Sequence, residues 1–547
     1  MKLPFLYDWL SFSIARNSQP VKHVFPEIRI ESFRSISLLK GRNRILKRNI
    51  LKDTILLTVI QMTLDGLGLL LNAFMTKHLG SEAMGVLTLT GSFFRLASMI
   101  AGGNVFLCAS RFISEELGKE HRNPKKVLGY CLTVSMLLSF AVMLLIMLFA
   151  PFCSRYFLKS SDLTNPIRLM AVSLPLVTVT ACLKGYCNAC CKTGICAAAD
   201  AVDFLMHTIL TACAVWLIPP ATHAGLCNMT AYCTIGSELI TLIFLLCSLP
   251  FCRTETTGRV SISIKRYIQL AIPVMAGSAL TSFLSAANDA LVPITLRQSG
   301  DSSAEALSQF GIFEAIVIPV LFFPSTVLVS LSGILVTETA RENAARHYSR
   351  ITGIAEKVVR QTIVFAVFVT EILILFGDEI GELLGGGMTA GRTIALIAPV
   401  VPFIYLEIVL ESIIKGIGSQ AFSSLNYLAE YIVRISCVLI FIPVLGFYGI
   451  VLSYYASNIF GNISRLIHVI KKTGMEFSPV RLLGIPIFSA VLSAELIFML
   501  FHMLHIPPET NLICMLIFIL LCCPVYFIIQ KELFHLHSRA ELQKSRL

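Results

Sequence analysis

About fourteen apolar stretches, each close to twenty residues long, run through this chain of 547 residues. A helix needs about 20 apolar residues to cross a hydrocarbon core that is about 30 Å thick. Hydrophobic residues make up 55% of the chain and charged residues only 14%, unlike a soluble globular protein. The sequence therefore predicts an all-α, polytopic membrane protein with about 14 transmembrane helices. The predicted spans are 54–76, 85–108, 128–152, 167–188, 197–218, 226–250, 267–296, 304–335, 361–383, 392–414, 424–445, 447–469, 482–504 and 511–530.

Lysine and arginine residues are concentrated in every second loop between these stretches. The segment 1–53, the loop from Arg465 to Arg481 and the last segment, 531–547, are basic, whereas the loop 219–225 holds no lysine or arginine. Basic loops stay on the cytoplasmic side of a membrane. We therefore expect a multi-pass protein of the cell membrane with both termini in the cytoplasm. The net charge of +11 is then a feature of topology, and no nucleic-acid partner is expected.

One short sequence pattern occurs twice. Glu82-Ala83-Met84 recurs 223 residues later as Glu305-Ala306-Leu307, and Ser114-Glu115-Glu116 recurs as Thr337-Glu338-Thr339 with the same offset. Many secondary transporters are duplicated bundles, because two similar halves can move against each other around a central site. We expect two parallel six-helix repeats and a C-terminal helix pair. The predicted division is a basic cytoplasmic tail at 1–53, a first repeat at 54–250, a cytoplasmic linker at 251–266, a second repeat at 267–469, a helix pair at 470–530 and a C-terminal tail at 531–547.

Two acid–base pairs lie within predicted spans, at equivalent places of the two repeats. Glu430 and Arg434 are four residues apart, so an α-helix brings them onto one face. Asp203 and His207 have the same spacing, 227 residues earlier. Charged groups inside a bilayer are costly and usually face protein or water. The pairs either line a cavity that holds an anionic head group or a coupling ion, or form internal salt bridges that only neutralise buried charge.

Further charged residues within the spans are candidates for binding a substrate or an ion. Asp65 lies midway along the first span beside two glycines, where it could take up a proton or cap a local helix break. Arg95 in the second span is a candidate anion contact or partner of a carboxylate, or a side chain that reaches the membrane surface. The second repeat adds Asp289 (the positional counterpart of Asp65), Glu314, and the i,i+4 pair Glu407 and Glu411.

The seventeen cysteines are an unusual feature of the composition. Most lie in apolar stretches, where a thiol packs as a small hydrophobic group. A cluster from Cys187 to Cys196 has a spacing that resembles a soft-metal site, but no histidine or second Cys-x-x-Cys motif accompanies it. We expect no metal and no cofactor. The sequence also has no phosphate-binding loop, zinc-ligand pair or nucleophile elbow, so we expect no enzymatic activity.

Several short motifs, taken together, resemble one family of membrane proteins. They are Lys77-His78-Leu79-Gly80-Ser81-Glu82-Ala83-Met84-Gly85, Arg111-Phe112-Ile113-Ser114-Glu115-Glu116, Leu183-Lys184-Gly185-Tyr186, Leu270-Ala271-Ile272-Pro273, Phe323-Pro324-Ser325-Thr326 and the pair Glu430 and Arg434. In these motifs and in its architecture the chain is similar to the polysaccharide-exporter branch of the multidrug/oligosaccharidyl-lipid/polysaccharide (MOP) flippase superfamily. Within that branch it resembles the stage V sporulation protein B-like, or polysaccharide biosynthesis, proteins. The resemblance covers about 54–530.

The chain departs from this family's pattern at two places. Flippases of lipid-linked peptidoglycan precursors carry Arg-Asp late in the first helix, where this chain has Leu71-Asn72. In the fifth helix a Glu and Arg pair is replaced by Asp203 and His207. The family's way of holding a pyrophosphate is therefore not carried over to these positions.

The resemblance implies a secondary transporter of the flippase type, which moves a lipid-linked oligosaccharide or polysaccharide precursor by alternating access. Arg95, Arg434 and His207 would hold the head group while the lipid tail stays in the bilayer. The alternative is a MATE-like antiporter that exchanges an amphipathic cationic drug for a proton or a sodium ion, with Asp65 and the other acidic residues as binding groups. Either protein is expected to be a monomer surrounded by membrane lipids.

Overall fold

The computed structural model describes residues 58–117, 123–156, 161–252, 264–505 and 511–544. The regular elements in these ranges are helices, and no strand occurs among them. Residues Leu64–Leu547 form one compact unit, and of the other unit, Met1–Thr63, only residues 58–63 are described. The predicted tail 1–53 and most of the predicted linker 251–266 lie outside the described residues.

The helices are α1 Thr58–Leu79, α2 Ser81–Gly102, α3 Val105–Leu117, α4 Pro124–Tyr156, α5 Thr164–Ala189, α6 Thr193–Leu217, α7 His223–Ser248, α8 Ile264–Gln298, α9 Ser303–Ile312, α10 Ile318–Phe322, α11 Thr326–Ala344, α12 Tyr348–Leu375, α13 Gly377–Leu383, α14 Gly387–Ile397, α15 Val401–Gly416, α16 Gln420–Leu445, α17 Phe447–Thr473, α18 Ile485–Met503 and α19 Leu512–Lys544.

In the described part of the chain, thirteen helical segments are long and apolar enough to cross a membrane. They follow the predicted spans in order, except at the predicted span 447–469. That span is α17, a helix of 27 residues that is absent from the thirteen because polar side chains such as Asn458 and Asn462 lower its hydropathy. The expectation of an all-α, polytopic membrane protein is confirmed.

At least three of the membrane-spanning segments depart from a regular α-helix, and two of these breaks lie in the segments that carry Arg95 and Glu314. The first occurs where Gly103 and Asn104 adopt a left-handed backbone conformation, with φ of 53° at each, and α3 then continues the span of α2. The second is a π-helical turn, Phe313–Val317, which is followed by a 3-10 turn at Pro324. Proline has no N–H to continue the helical hydrogen bonds, which accounts for that turn. Glu314 lies within the π-helical turn.

Helix contacts agree with the predicted repeats. In the first repeat, α5 packs against α4 and α7, and α6 packs against α7. In the second repeat, α15 packs against α11, α12 and α17, and α16 packs against α17. The repeats meet where α2 packs against α8 and α9. The division into domains itself stays a prediction.

The two copies of the repeated sequence pattern contact each other at the beginning of α2 and α9. A Cβ atom at Gly85 would lie 2.0 Å from the carbonyl oxygen of Leu307, and one at Gly311 would lie 2.2 Å from that of Ser81. The hydroxyl oxygens of Ser81 and Ser308 are 2.6 Å apart and share a hydrogen bond. Small residues allow helix backbones to approach this closely in a membrane. Glycine is therefore required at both positions.

The C-terminal helices α18 and α19 pack against each other, and α18 packs against α12. Ser493 Oγ and Cys522 Sγ lie 3.5 Å and 3.6 Å from Glu371 Oε1 of α12. The Tyr526 hydroxyl donates a hydrogen bond to the carbonyl oxygen of Val364 at 2.8 Å. Glu371 therefore belongs to the contact that attaches this helix pair.

Candidate functional site

A cavity of about 520 Å³ lies between the two predicted repeats. Helices α2, α3 and α5 line it from the first repeat, and α8 and α16 line it from the second. Its charged residues are Arg95 and Asp289, and its other polar side chains carry hydroxyl or amide groups. These are Ser92, Ser98, Asn104, Thr178, Thr281, Ser282, Ser285 and Tyr431, and the rest of the lining is apolar. Such a lining offers an amphipathic ligand several hydrogen bonds beside apolar surface.

Arg95 and Asp289 form an ion pair that joins the two repeats. Arg95 Nη2 lies 3.4 Å from Asp289 Oδ2 and donates a hydrogen bond to Ser92 Oγ at 2.6 Å. Ser92 Oγ in turn donates to Asp289 Oδ2 at 2.5 Å. The Arg95 side chain is 63% exposed and lines the cavity, whereas that of Asp289 is 9% exposed. A ligand in the cavity can therefore reach the guanidinium far more easily than the carboxylate.

Glu314 connects this ion pair to the charges of the second repeat. It interacts electrostatically with Asp289, Arg95 and Arg434. The guanidinium carbon of Arg434 lies 4.4 Å from the centre of the Tyr454 ring, a cation–π distance. Glu314 is therefore influenced both by Arg95 and Asp289 at the cavity and by Arg434.

A second cavity, of about 410 Å³, lies within the second repeat. Glu430 and Arg434 line it, with Arg434 Nη2 3.6 Å from Glu430 Oε1. Arg434 Nε also donates a hydrogen bond to Ser457 Oγ at 2.9 Å. Glu411 lines the same cavity, 3.3 Å from Lys415 Nζ. The i,i+4 spacing of Glu430 and Arg434 thus gives the contact that the sequence suggests.

Arg465 is the centre of a second charge cluster, beside this cavity. The sequence placed it both in the predicted span 447–469 and at the start of a basic loop, and the structure supports the span, because α17 continues to Thr473 and the Arg465 side chain is completely buried. Lys471 and Lys472 are the basic residues at the end of the helix. One signal was available: Asn458, Asn462 and Arg465 recur at helical spacing, as on an inward polar face.

Three carboxylates surround the Arg465 guanidinium. Its Nη2 lies 3.1 Å from Glu407 Oε1, its Nη1 3.0 Å from Glu430 Oε2, and its Nε 3.6 Å from Glu411 Oε2. A Cβ atom at position 461 would lie 2.4 Å from Glu430 Oε2, so Gly461 leaves room for the cluster. The structure therefore joins Glu407, Glu411 and Glu430 through a cation.

The equivalent charges of the first repeat are arranged more loosely. Lys184 Nζ lies 2.8 Å from Asp200 Oδ1, and Thr180 Oγ1 donates to Glu238 Oε2 at 2.8 Å. Among the described residues, no hydrogen bond or ion pair joins Asp203 to His207, and Asp203 Oδ1 is buried with no hydrogen-bond partner. The ion pair that the spacing suggests is therefore absent here.

Asp65 lies in a contact between the repeats. Its Oδ2 accepts a hydrogen bond from Thr326 Oγ1 at 2.6 Å, which joins α1 to the beginning of α11. The neighbouring Gly66 lies close to the Phe323 ring. The carboxylate is thus part of the region where the repeats meet, although it does not line the two cavities that contain the other candidates.

The cysteine cluster packs as a set of thiols. Cys252 Sγ donates a hydrogen bond to Cys187 Sγ at 3.5 Å, and Cys196 Sγ donates to the carbonyl oxygen of Lys184 at 3.2 Å. Burial raises the pKa of the Cys190 thiol. The described residues contain no group of three or more histidine, cysteine or acidic side chains that could hold a metal ion.

A third cavity, of about 600 Å³, lies where α2 and α9 begin. Its lining includes Glu82, His223 and Arg297, and His223 Nε2 lies 3.4 Å from Glu82 Oε1. It contains none of the site residues that the sequence suggested.

Residues 50–333 match the family of polysaccharide biosynthesis proteins. The chain is 21% identical over 418 residues to stage V sporulation protein B of Bacillus subtilis (strain 168), which covers 74% of this chain and 81% of that protein. It is 20% identical over 377 residues to sporulation protein YkvU of the same bacterium, which covers 67% of this chain and 82% of that protein.

Solved structures with a similar fold include the lipid II flippase MurJ in an inward closed conformation. Its TM-score is 0.67 at 13% identity, over 88% of this chain and 99% of that chain. An inward-facing multidrug resistance MATE family transporter of the MOP superfamily gives a TM-score of 0.60 at 13% identity, over 76% of this chain and 98% of that chain. The family match covers more than half of the sequence. This chain therefore belongs to the polysaccharide biosynthesis protein family and is a polytopic membrane protein whose fold is similar to that of MOP superfamily transporters.

Proposed function

We propose that this protein is a flippase that carries a lipid-linked saccharide across the cell membrane by alternating access, with both termini in the cytoplasm. The observation that carries the proposal is the cavity between the repeats, into which Arg95 is 63% exposed. Similar proteins support this proposal: one solved structure with a similar fold is a lipid II flippase, and two relatives in sequence are sporulation proteins.

The lining of this cavity matches the chemistry of a phosphate-linked sugar. A guanidinium binds phosphate oxygens through charge-assisted hydrogen bonds. The surrounding hydroxyl groups and the Asn104 amide can donate to and accept from sugar hydroxyls. The lipid tail needs no protein site if it stays in the bilayer. No step in this scheme requires a chemical reaction by the protein.

Alternating access requires contacts between the repeats that open and close. By the distribution of basic loops, α2 and α9 begin at the external side. There the backbones touch at Gly85 and Gly311. Farther along, Asn104 Nδ2 donates to Ser278 Oγ at 3.1 Å, a contact between side chains only. The closer backbone contact supports the interpretation that the repeats are held together more tightly at the external side of the membrane than farther along α2.

The second candidate is an antiporter that exchanges a cationic drug for a proton or a sodium ion. The observation that favours it is Asp65, a carboxylate bonded to Thr326 where the repeats meet. The exposed Arg95 in the cavity between the repeats (the central cavity) argues against an antiporter of cationic drugs, because a cationic drug would be repelled there.

Transport by purified protein in proteoliposomes tests the proposal. A fluorescent lipid-linked saccharide and a cationic dye would be followed in parallel, with and without a proton or sodium gradient. We expect saccharide movement that falls about 30- to 100-fold in Arg95→Gln, which corresponds to about 2–3 kcal/mol of charge-assisted hydrogen bonding.

Arg111→Gln is the matched control, because Arg111 is 59% exposed, paired with Glu115 and outside the cavity. It should transport as the unmodified protein does. Gradient-driven dye movement that is lost in Asp65→Asn, without saccharide movement, would establish the antiporter instead.

A further inference from the structure

We propose that the Arg95–Asp289 ion pair couples the binding of an anionic head group to the uptake of one proton. The anion engages Arg95, which releases Asp289, and Asp289 then takes a proton from water. The inference depends on the proposed function, since it needs an anionic ligand in the central cavity. It adds the identity of the coupling ion and the direction of the coupling, since the head group and the proton are taken up together.

The first step follows from the exposure of the two side chains. Arg95 is 63% exposed and lines the cavity, and its Nη2 is still 3.4 Å from Asp289 Oδ2. Asp289 is 9% exposed, so it cannot follow the arginine towards a ligand. A phosphate in the cavity therefore competes with Asp289 for the guanidinium.

The second step follows from the charges around Asp289. Besides Arg95 of α2, the ionisable groups that influence this region are Glu314 on the π-helical turn, Tyr454 of α17 and Arg434 of α16. Neither Glu314 nor Tyr454 supplies positive charge, and Arg434 is already shared with Glu430. Once an anion occupies Arg95, a buried carboxylate is left with too little positive charge. Because an uncompensated charge is unfavourable inside a membrane, protonation of that carboxylate is favoured.

The hydroxyl of Ser92 gives the protonated carboxyl of Asp289 a hydrogen-bond acceptor. At present Ser92 Oγ accepts a hydrogen bond from Arg95 and donates one to Asp289. A serine hydroxyl can both donate and accept. When Arg95 turns to the ligand, the protonated Asp289 can donate to Ser92 Oγ, and the hydrogen bond between them is kept with its direction reversed. One O–H bond forms at Asp289, and water supplies the proton.

Linkage makes the effect reciprocal. If the anion raises the proton affinity of the site, protons raise its anion affinity by the same factor. A site that exchanges its ligand for a proton would show the opposite sign. The direction of the pH dependence therefore distinguishes this coupling from exchange.

Isothermal titration calorimetry of the full chain in lipid nanodiscs tests the inference. The probe is geranyl-diphospho-N-acetylglucosamine, whose diphosphate diester keeps a fixed charge from mildly acidic to mildly basic pH. Titrations in buffers with different ionisation enthalpies count the protons taken up per ligand. We expect uptake that approaches one proton, and an affinity that falls by up to about tenfold per pH unit as the pH rises.

Asp289→Asn should bind the probe with no proton uptake and with an affinity that does not depend on pH. Glu371→Gln, in the contact with α18 and outside the cavity, should retain the uptake. Ser92→Ala gives an independent variant should Asp289→Asn fail to fold, and we expect it to bind the probe with reduced proton uptake.

Binding without proton uptake by the unmodified protein would overturn the coupling and leave the flippase proposal standing. Uptake that persists in Asp289→Asn, or that is lost only in Glu314→Gln, would overturn the role of Asp289. No binding of the probe by the unmodified protein would overturn both proposals.

Discussion

The charge clusters of the two repeats occupy equivalent regions, but the residue at the centre of each has the opposite charge. Arg465 in α17 follows Glu238 in α7 by 227 residues, the offset that also separates Arg434 from His207. Arg465 contacts three carboxylates within 3.6 Å. Glu238 instead accepts one hydrogen bond, from Thr180 at 2.8 Å. The helix scaffold is repeated, while the sign of the charge at its centre is reversed.

The difference has a consequence for charge balance inside the membrane. The second cluster contains as many acids as bases, namely Glu407, Glu411 and Glu430 with Lys415, Arg434 and Arg465. The first contains Asp200, Asp203 and Glu238 with Lys184 and His207. A balanced cluster can stay buried through a transport cycle without exchanging ions. A cluster with excess carboxylates is neutral only if protons or cations join it.

The largest expected effect is that of removing Arg465. Arg465→Ala leaves three carboxylates around an empty position, and breaking a buried ion pair in this way costs about 3–5 kcal/mol. Thermal unfolding in detergent should show a much lower melting temperature. Arg465→Lys keeps the charge and should lose less. An unchanged melting temperature in Arg465→Ala would mean that the cluster does not stabilise the second repeat.

Replacing Arg434, in the same repeat, should abolish transport without lowering the stability of the protein. In Arg434→Ala, Glu430 still contacts Arg465 at 3.0 Å, so we expect normal expression. Transport should nevertheless be abolished, because Arg434 connects the second cluster to Glu314 and the central cavity. Arg434→Lys should also fail, since lysine lacks the planar group that stacks on Tyr454. Normal transport in Arg434→Ala would reduce the pair with Glu430 to an internal salt bridge.

Glu238→Gln in the first repeat should have the smallest effect. The amide oxygen of glutamine can still accept the hydrogen bond from Thr180, and a buried negative charge disappears. We expect a change in the free energy of unfolding of at most about 1 kcal/mol. Glu430→Gln, at the other cluster, removes one contact of Arg465 and should be clearly more destabilising. Equal losses in the two variants, in the same unfolding experiment, would remove the contrast between the repeats.

Hydropathy and charge placement were sufficient to predict the membrane fold, because both are properties of long segments. They left Arg465 ambiguous between the span 447–469 and the basic loop after it, since the end of a polar helix looks like a basic loop in sequence. The candidates Arg95 and Asp289 were both found, but not as partners. Their contact joins positions 194 residues apart, and a repeat offset relates equivalent positions without predicting which of them meet. The roles of these residues remain predictions.

The central claim is that transport requires the repeats to separate where α2 and α9 meet. A reversible disulfide cross-link between positions 81 and 308 tests this claim most directly. The hydroxyl oxygens of Ser81 and Ser308 are 2.6 Å apart, so cysteines at both positions can be oxidised to a disulfide. Each single cysteine variant controls for the native thiols. We predict that oxidised S81C/S308C proteoliposomes lose transport of the lipid-linked saccharide and regain it after reduction. Undiminished transport by the cross-linked protein would contradict the account.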